Sequence, residues 1–200
     1  MKPPPSKRWL ILATLGGLAY PFAVYFGHGI FPAFVFVLAG MTLVLLRLLG
    51  TRRFTPGPGR LLPFAAAALL LGGLMVWSPA VAVQAYPVLV SLAVATLFGL
   101  SLVFPPTVVE RIARLTEPAL PPEGVRYTRT VTGVWVGFLL VNALISTATA
   151  RWGTLVQWTL WNGLLSYLMM GLLFAGEFIV RRVVRSRAHP PTPLSDRSSP

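Results

Sequence analysis

Cysteine is missing from this 200-residue sequence, and acidic residues are scarce. The absence of cysteine excludes disulfides, cysteine-ligated metals and a thiol nucleophile. Charged residues make up only 11% of the chain, against about 25% in soluble domains. With 55% hydrophobic residues and a mean hydropathy of +0.72, the chain cannot cover its apolar stretches with a polar surface. These values exclude a soluble globular domain and a disordered chain, and they indicate an integral membrane protein.

Residues that usually perform chemistry are few and widely separated. The two histidines are His28 and His189, and the topology predicted below places them on opposite sides of the membrane, so they cannot share a metal ion. No Ser/His/Asp set falls within one compartment, no paired carboxylates face outward, and no phosphate-binding glycine motif is present. The sequence therefore predicts no catalytic residues, no metal site and no cofactor.

Six apolar segments have the length of about 17–25 residues that a membrane-spanning helix requires. Short breaks at Gly27-His28-Gly29, at Ser78-Pro79 and at 150–153 join these segments in pairs. The sequence thus predicts an all-α helical bundle, a single transmembrane domain over 9–180 with six transmembrane helices arranged as three hairpins. The predicted spans are 9–26, 30–49, 61–78, 80–104, 130–148 and 154–180.

Two alternatives to this arrangement stay open. Lys7 and Arg8 precede the first apolar segment, so that segment can also be read as a cleaved signal peptide. The third and fourth segments follow each other with almost no loop, so residues 61–104 can form a re-entrant pair instead of two complete spans.

Positive charge lies on one side of the predicted spans. All but one of the 17 lysines and arginines lie in the N-terminal segment, the second-to-third connection, the fourth-to-fifth connection or the C-terminal tail, and Arg151 is the exception. Because positive residues are retained in the cytoplasm, we expect a multi-pass membrane protein with both termini cytoplasmic. Residues 1–8 then form the cytoplasmic N-terminus and 181–200 a basic, disordered tail. This placement explains the net charge of +12 without a nucleic-acid partner.

The connection at 105–129 combines charge with proline. Thr107 and Glu110 have the spacing of a capping box, which predicts a short amphipathic helix on the cytoplasmic membrane surface, followed by a proline-rich link over 118–124. Glu110 and Arg114 are spaced for an i,i+4 ion pair. The segment is either a connector that anchors the fifth span or a docking surface for a cytoplasmic partner. The candidate docking residues are Glu110, Arg111 and Arg114.

Polar residues inside the fifth and sixth predicted spans form the candidate site, because polar groups in a membrane are costly. At about 100° per residue they share one face of each helix. Either they hold the helices together through hydrogen bonds, or they line a cavity for a lipid or lipid-linked headgroup. Glu177, the one acid within a span, either pairs with Arg181 or serves proton coupling or headgroup binding. Arg47, near the cytoplasmic end of the second predicted span, is an alternative partner for it. The candidate residues are Thr132, Trp135, Asn142, Ser146, Trp158, Asn162, Ser166 and Glu177.

The run from 105 to 182 resembles a family of bacterial inner-membrane proteins. The residues that carry the resemblance are Pro105-Pro106, Glu110-Arg111, Ala113-Arg114, Glu117-Pro118, Leu120-Pro121-Pro122, Tyr127-Thr128-Arg129-Thr130-Val131-Thr132, Trp135, Asn142, Asn162-Gly163, Tyr167, Met170-Gly171, Phe174 and Gly176-Glu177. This uncharacterised family occurs beside genes for fatty-acid-like synthesis, notably of aryl polyene (xanthomonadin-type) pigments. Trp161 stands where the family pattern has tyrosine. More distantly, the order of spans is similar to that of the intracellular septation protein A family.

These resemblances imply a helical-bundle fold and a context in envelope lipid or polyene metabolism, and they transfer no catalytic residue. We therefore expect a non-enzymatic scaffold or accessory component of that synthesis. Its expected partners are membrane lipids and cytoplasmic or membrane biosynthetic enzymes. The alternatives are a flippase or transporter of a lipid-like precursor and a membrane-embedded transferase.

Overall fold

The computed structural model describes residues 5–50 and 61–188, and within these ranges the chain is helical with no strand. The predicted all-α fold is thereby confirmed. A π-helical segment, Trp161–Leu165, separates the last two helices. The α-helices are α1 (Pro5–Gly27), α2 (Ala33–Gly50), α3 (Leu61–Trp77), α4 (Pro79–Val103), α5 (Val108–Ala113), α6 (Pro122–Trp152), α7 (Leu155–Leu160) and α8 (Ser166–Ala188).

Glycine, proline and capping residues set the helix boundaries. The turn after α1 contains Gly29 at φ 85°, a left-handed conformation that glycine adopts without steric cost. Ser78 alone separates α3 from α4, and Pro79 opens α4 where its missing N–H is not needed. A capping box starts α7, because Thr154 accepts the Gln157 N–H and Gln157 accepts the Thr154 N–H.

Three of these helical stretches are long and apolar enough to cross a membrane, which indicates a membrane protein. They match the last three predicted spans. Three shorter apolar helices match the first three. The long stretches are Pro79–Val103, Pro122–Trp152 and Leu155–Phe178, and the shorter ones are Ile11–Gly27, Ala33–Arg47 and Leu61–Trp77.

The chain divides into two compact units, the first ending at Tyr167 and the second starting at Leu168. In the first unit α4 packs against α3 and α6, while α2 packs against α1, α3 and α4. Many large apolar side chains lie on its outside, with Leu69 77% and Val76 89% exposed, as suits a surface that faces lipid. The described part of the second unit belongs to α8, and Leu172 on this helix is likewise exposed. The core of the first unit includes Tyr20, Val37, Phe64, Leu71, Tyr86 and Trp158.

Two predicted boundaries were wrong. The predicted link over 118–124 is shorter than expected, because α6 already begins at Pro122 and its 31 residues continue to Trp152. Proline is favoured in the first turn, and Glu123 there interacts well with the positive end of the helix dipole. The predicted disordered tail is helical over 181–188, because α8 continues to Ala188. The rest of that tail and the predicted second-to-third connection at 51–60 lie outside the described residues.

Candidate functional site

The polar stripe of α6 faces the interior of the first unit. Thr132, Trp135, Asn142 and Ser146 are all buried, and Thr132 and Ser146 have no exposed surface. Their spacing of three, seven and four residues keeps them on one helix face. The Trp135 ring lies 6.5 Å from the Phe98 ring of α4, centroid to centroid. This face of α6 therefore packs against α4.

Asn142 links α6 to α4 through a side-chain hydrogen bond. Its Nδ2 donates to Ser91 Oγ at 3.0 Å, whereas its Oδ1 is buried without a partner among the described residues. Sequence reasoning did not identify Ser91. Its position could have identified it, because Ser91 is a polar residue at the midpoint of α4, between apolar neighbours.

The π-helical segment places Asn162 against α6. Asn162 Oδ1 accepts a hydrogen bond from Ser146 Oγ, and Asn162 Nδ2 donates to the Trp158 carbonyl at 2.9 Å. Ser166 Oγ donates to the Asn162 carbonyl at 3.3 Å. Asn162 thus joins α6 to the helix that follows it. We call Ser91, Asn142, Ser146 and Asn162 the asparagine network.

The π-helical segment also touches α1, and polar atoms without partners among the described residues lie on it and on α7 directly before it. A Cβ on Gly163 would lie 2.7 Å from the Phe22 ring, so only glycine allows this close approach. The side-chain nitrogens of Trp158 and Trp161 and the Thr159 hydroxyl are buried with no hydrogen-bond partner among the described residues. Such π segments frequently occur at functional sites.

The two ends of the predicted stripe have different surroundings. Thr132 Oγ1 donates to the Thr128 carbonyl of its own helix at 2.7 Å, so it is satisfied locally. Glu177 lies on α8 in the second unit and is partly exposed.

The candidate docking residues lie on and beside α5. Thr107 caps this helix by accepting the Glu110 N–H at 3.2 Å. The Glu110 carboxylate turns to Arg114, with Oε1 at 2.9 Å from Nε and 2.8 Å from Nη2, which confirms the predicted i,i+4 pair. Because the Glu110 side chain is only 7% exposed, it stabilises the turn and offers little surface to a partner.

The exposed surface of this segment is apolar. Ile112 is 47% and Leu115 57% exposed, whereas Arg111 is partly buried. Val103 and Phe104, at the end of α4, are each 68% exposed. A partner that docks here therefore meets leucine, isoleucine and phenylalanine side chains in addition to the predicted charges.

Among the described residues, no group of three histidine, aspartate or glutamate side chains could hold a metal ion. Comparisons with family models, curated proteins and solved structures gave no match to this chain. Function is therefore inferred from its own residues and contacts.

Proposed function

We propose that the chain crosses the bacterial inner membrane six times, with both termini in the cytoplasm. The one-sided placement of lysine and arginine supports this topology. Helix α3 has 17 residues and a length of about 25 Å, which a slightly thinned bilayer accommodates.

Single cysteines test this topology directly, because the chain has none of its own. His28, Arg151 and Ala119 are exposed. Cysteines at His28 and Arg151 are expected to react with a membrane-impermeant maleimide in intact spheroplasts, and a cysteine at Ala119 only after lysis. Reaction of Ala119→Cys before lysis, or protection of Arg151→Cys, would contradict six spans with cytoplasmic termini.

We further propose that the protein is a non-enzymatic scaffold or accessory component of envelope lipid or polyene synthesis. The observation that carries this proposal is the asparagine network. Its side chains bond to one another or to helix carbonyls, at about 1 kcal/mol for each link between helices. Polar groups used in this way fix the packing of the bundle and are not free to activate a substrate.

In this proposal the partner enzyme binds to an exposed apolar patch, which we define as Val103, Phe104, Ile112 and Leu115. Val103 and Phe104 lie at the predicted cytoplasmic end of α4, Ile112 lies on α5, and Leu115 follows two residues after α5 ends. A cytoplasmic synthesis enzyme that docks there would be held at the membrane, close to a lipid-like product.

Site-specific photocrosslinking separates docking from simple anchoring. A photoreactive residue at Ile112 or Leu115 is expected to form adducts with protein. The same residue at Trp152, which is 82% exposed on the predicted outer side, is expected to form none with a cytoplasmic enzyme. Adducts with lipid alone at Ile112 and Leu115 would contradict docking and leave α5 as a connector that anchors the next span.

A second function, a flippase for a lipid-like precursor, is favoured by one observation. Asn142 Oδ1 on α6 and the Trp158 Nε1 and Thr159 Oγ1 atoms on α7 are buried polar atoms without partners among the described residues, and a passing headgroup could satisfy them.

Flipping requires that water reach this region in at least one state. In a flippase, cysteines at Asn142 and Asn162 would react with a small water-soluble thiol reagent, whereas a cysteine at the apolar, buried Ala143 would not. Protection of all three would exclude the flippase and leave the scaffold.

A further inference from the structure

Arg47 carries a charge among apolar helices, and no ion pair joins it to a described carboxylate of the first unit. It lies three residues before the end of α2 at Gly50. Its Nη2 donates to the Ala13 carbonyl at 3.3 Å, and its Nε is buried without a partner among the described residues. Within the described part of the first unit no carboxylate lies within 4.0 Å of the guanidinium. A guanidinium stays ionised, so its burial is costly until an anion pairs with it.

Two tyrosine hydroxyls accompany this guanidinium. Arg47 is close enough to act electrostatically on the hydroxyls of both Tyr86 and Tyr167. The Tyr86 hydroxyl is buried and lies within hydrogen-bonding range of the Arg47 side chain, although no bond of good geometry joins it to a described residue. The adjacent Tyr20, whose ring centroid is 4.3 Å from that of Tyr86, donates its own hydroxyl to the Val83 carbonyl at 3.0 Å. Of these two tilted phenols, one is therefore bonded to the backbone, and the other lies beside Arg47 with no hydrogen-bond acceptor among the described residues.

A glycine on α1 makes room for these groups. A Cβ on Gly17 would lie 2.5 Å from Arg47 Nη2 and 3.4 Å from the Tyr167 hydroxyl. The guanidinium and the phenol therefore converge on a part of α1 that lacks a side chain. The preceding Gly16 is equally close to an apolar side chain, because a Cβ added there would lie 2.5 Å from Leu43 Cδ2.

We propose that Arg47, Tyr86 and Tyr167, which we call the Arg47 cluster, bind the oxyanion of an anionic ligand, a phosphate or a carboxylate group. Arginine offers only donors, in a planar fork that matches the paired oxygens of these groups. The two phenols add hydroxyl donors. An oxyanion would satisfy the free Arg47 Nε and the free Tyr86 hydroxyl together, and it would supply the missing negative charge.

The Arg47 backbone lies about 4.5 Å of helix rise from the end of α2. From there the side chain extends to Ala13 and Gly17 of α1, so an anionic headgroup must enter between the helices to reach the guanidinium. Arg47 and Tyr167 are each only partly buried, so an incoming group can reach them. This proposal goes beyond the scaffold function and does not depend on docking at α5.

Native mass spectrometry of the full chain tests the site. The protein in detergent is offered equal amounts of phosphatidylglycerol and phosphatidylcholine with identical acyl chains. The wild type is expected to retain phosphatidylglycerol preferentially. Arg47→Met is expected to lower that retention about tenfold or more, since it removes charge-assisted hydrogen bonds. Arg129→Met, an exposed arginine on the same predicted side, is the matched control and is expected to behave as wild type.

Hydroxyl deletions keep the test informative if Arg47→Met fails to fold. Tyr86→Phe and Tyr167→Phe preserve the rings and are expected to lower retention by a few-fold, whereas Tyr25→Phe, which alters an exposed residue, leaves it unchanged. Arg47→Lys keeps the charge but loses the fork, and it is expected to retain less lipid than wild type.

A second arm identifies the source of the oxyanion. If inorganic phosphate raises the melting temperature of the wild type but not of Arg47→Met, and no lipid is retained, the site stands and its ligand is a soluble anion. If the wild type binds neither probe, or Arg47→Met retains phosphatidylglycerol as well as wild type, the proposal is overturned. None of these outcomes bears on crosslinking at Ile112, so the two proposals fail separately.

Discussion

Two polar regions inside the first unit differ in what their side chains bond to. In the asparagine network, Asn162 uses both its oxygen and its nitrogen, and Asn142 donates to Ser91, so most polar atoms are paired; Asn142 Oδ1 has no partner among the described residues. In the Arg47 cluster, Arg47 Nε and the Tyr86 hydroxyl have no partner among the described residues. Leaving a buried polar group unpaired costs more free energy than a hydrogen bond contributes to stability. The first region is therefore suited to holding helices together, and the second is suited to binding a ligand.

The largest expected effect comes from removing Trp158, whose carbonyl accepts the hydrogen bond from Asn162. Its side chain is completely buried, so Trp158→Ala leaves a cavity and is expected to lower the free energy of unfolding by about 3 kcal/mol. The measurement is unfolding in mixed micelles, followed by the remaining tryptophan fluorescence. Trp152→Ala, at a residue 82% exposed, is the control and is expected to change stability by less than about 0.5 kcal/mol. Equal losses in both variants would contradict the buried role of Trp158.

Next in size is the replacement Asn162→Leu, which keeps the branched shape of the side chain, increases its volume and removes two hydrogen bonds. It also leaves the buried Ser146 hydroxyl without its acceptor, so we expect a loss of about 2 kcal/mol in the same unfolding assay. Asn142→Leu removes one link between helices and also removes an unpaired buried oxygen. It is expected to cost less than half as much. A larger loss for Asn142→Leu would show that its unpaired oxygen has a partner in the membrane.

A pair of glycine substitutions sharpens the comparison between the two regions. Gly17→Ala places a methyl group against Arg47, and Gly16→Ala places one against Leu43, each at 2.5 Å from the nearest atom. Both are expected to cost about 1 kcal/mol, because flexible side chains must shift. Only Gly17→Ala is expected to lower phosphatidylglycerol retention in native mass spectrometry. The same retention in both variants would argue against an oxyanion site at Arg47.

The smallest expected effect lies outside both regions, at the ion pair of α5. Glu110→Gln removes the charge that pairs with Arg114 and is expected to cost less than about 1 kcal/mol, because the arginine is 39% exposed. Unfolding of wild type and variant at low and at high salt provides the measurement. The difference is expected to shrink at high salt, where exposed charges are screened. A difference that does not depend on salt would point to lost packing instead of lost charge.

The local features of this chain could be predicted from the sequence because they depend on residues close together in the chain. Glu110 and Arg114 meet within one helical turn, and the stripe from Thr132 to Ser146 follows from helix periodicity. The partners of the stripe could not be predicted in this way. Asn142 and Ser91 are 51 positions apart, and no periodic pattern relates them.

The Arg47 cluster was missed for a related reason. In the sequence Arg47 belongs to a group of positive charges near a predicted membrane boundary, where arginine is expected. Its closeness to Tyr86 and Tyr167, which lie on different helices, depends on how α1, α2 and α4 pack, and Gly17 is informative only once that packing is known.

The sequence by itself determined the helical class, the membrane environment and the approximate helix positions, because scarce charge and long apolar runs leave the backbone no other way to satisfy its hydrogen bonds in lipid. Only the tertiary structure decided which polar groups are satisfied and which are not. In an apolar interior the fate of each polar side chain depends on the neighbours within about 3 Å of it, and helix packing brings those neighbours from distant parts of the chain.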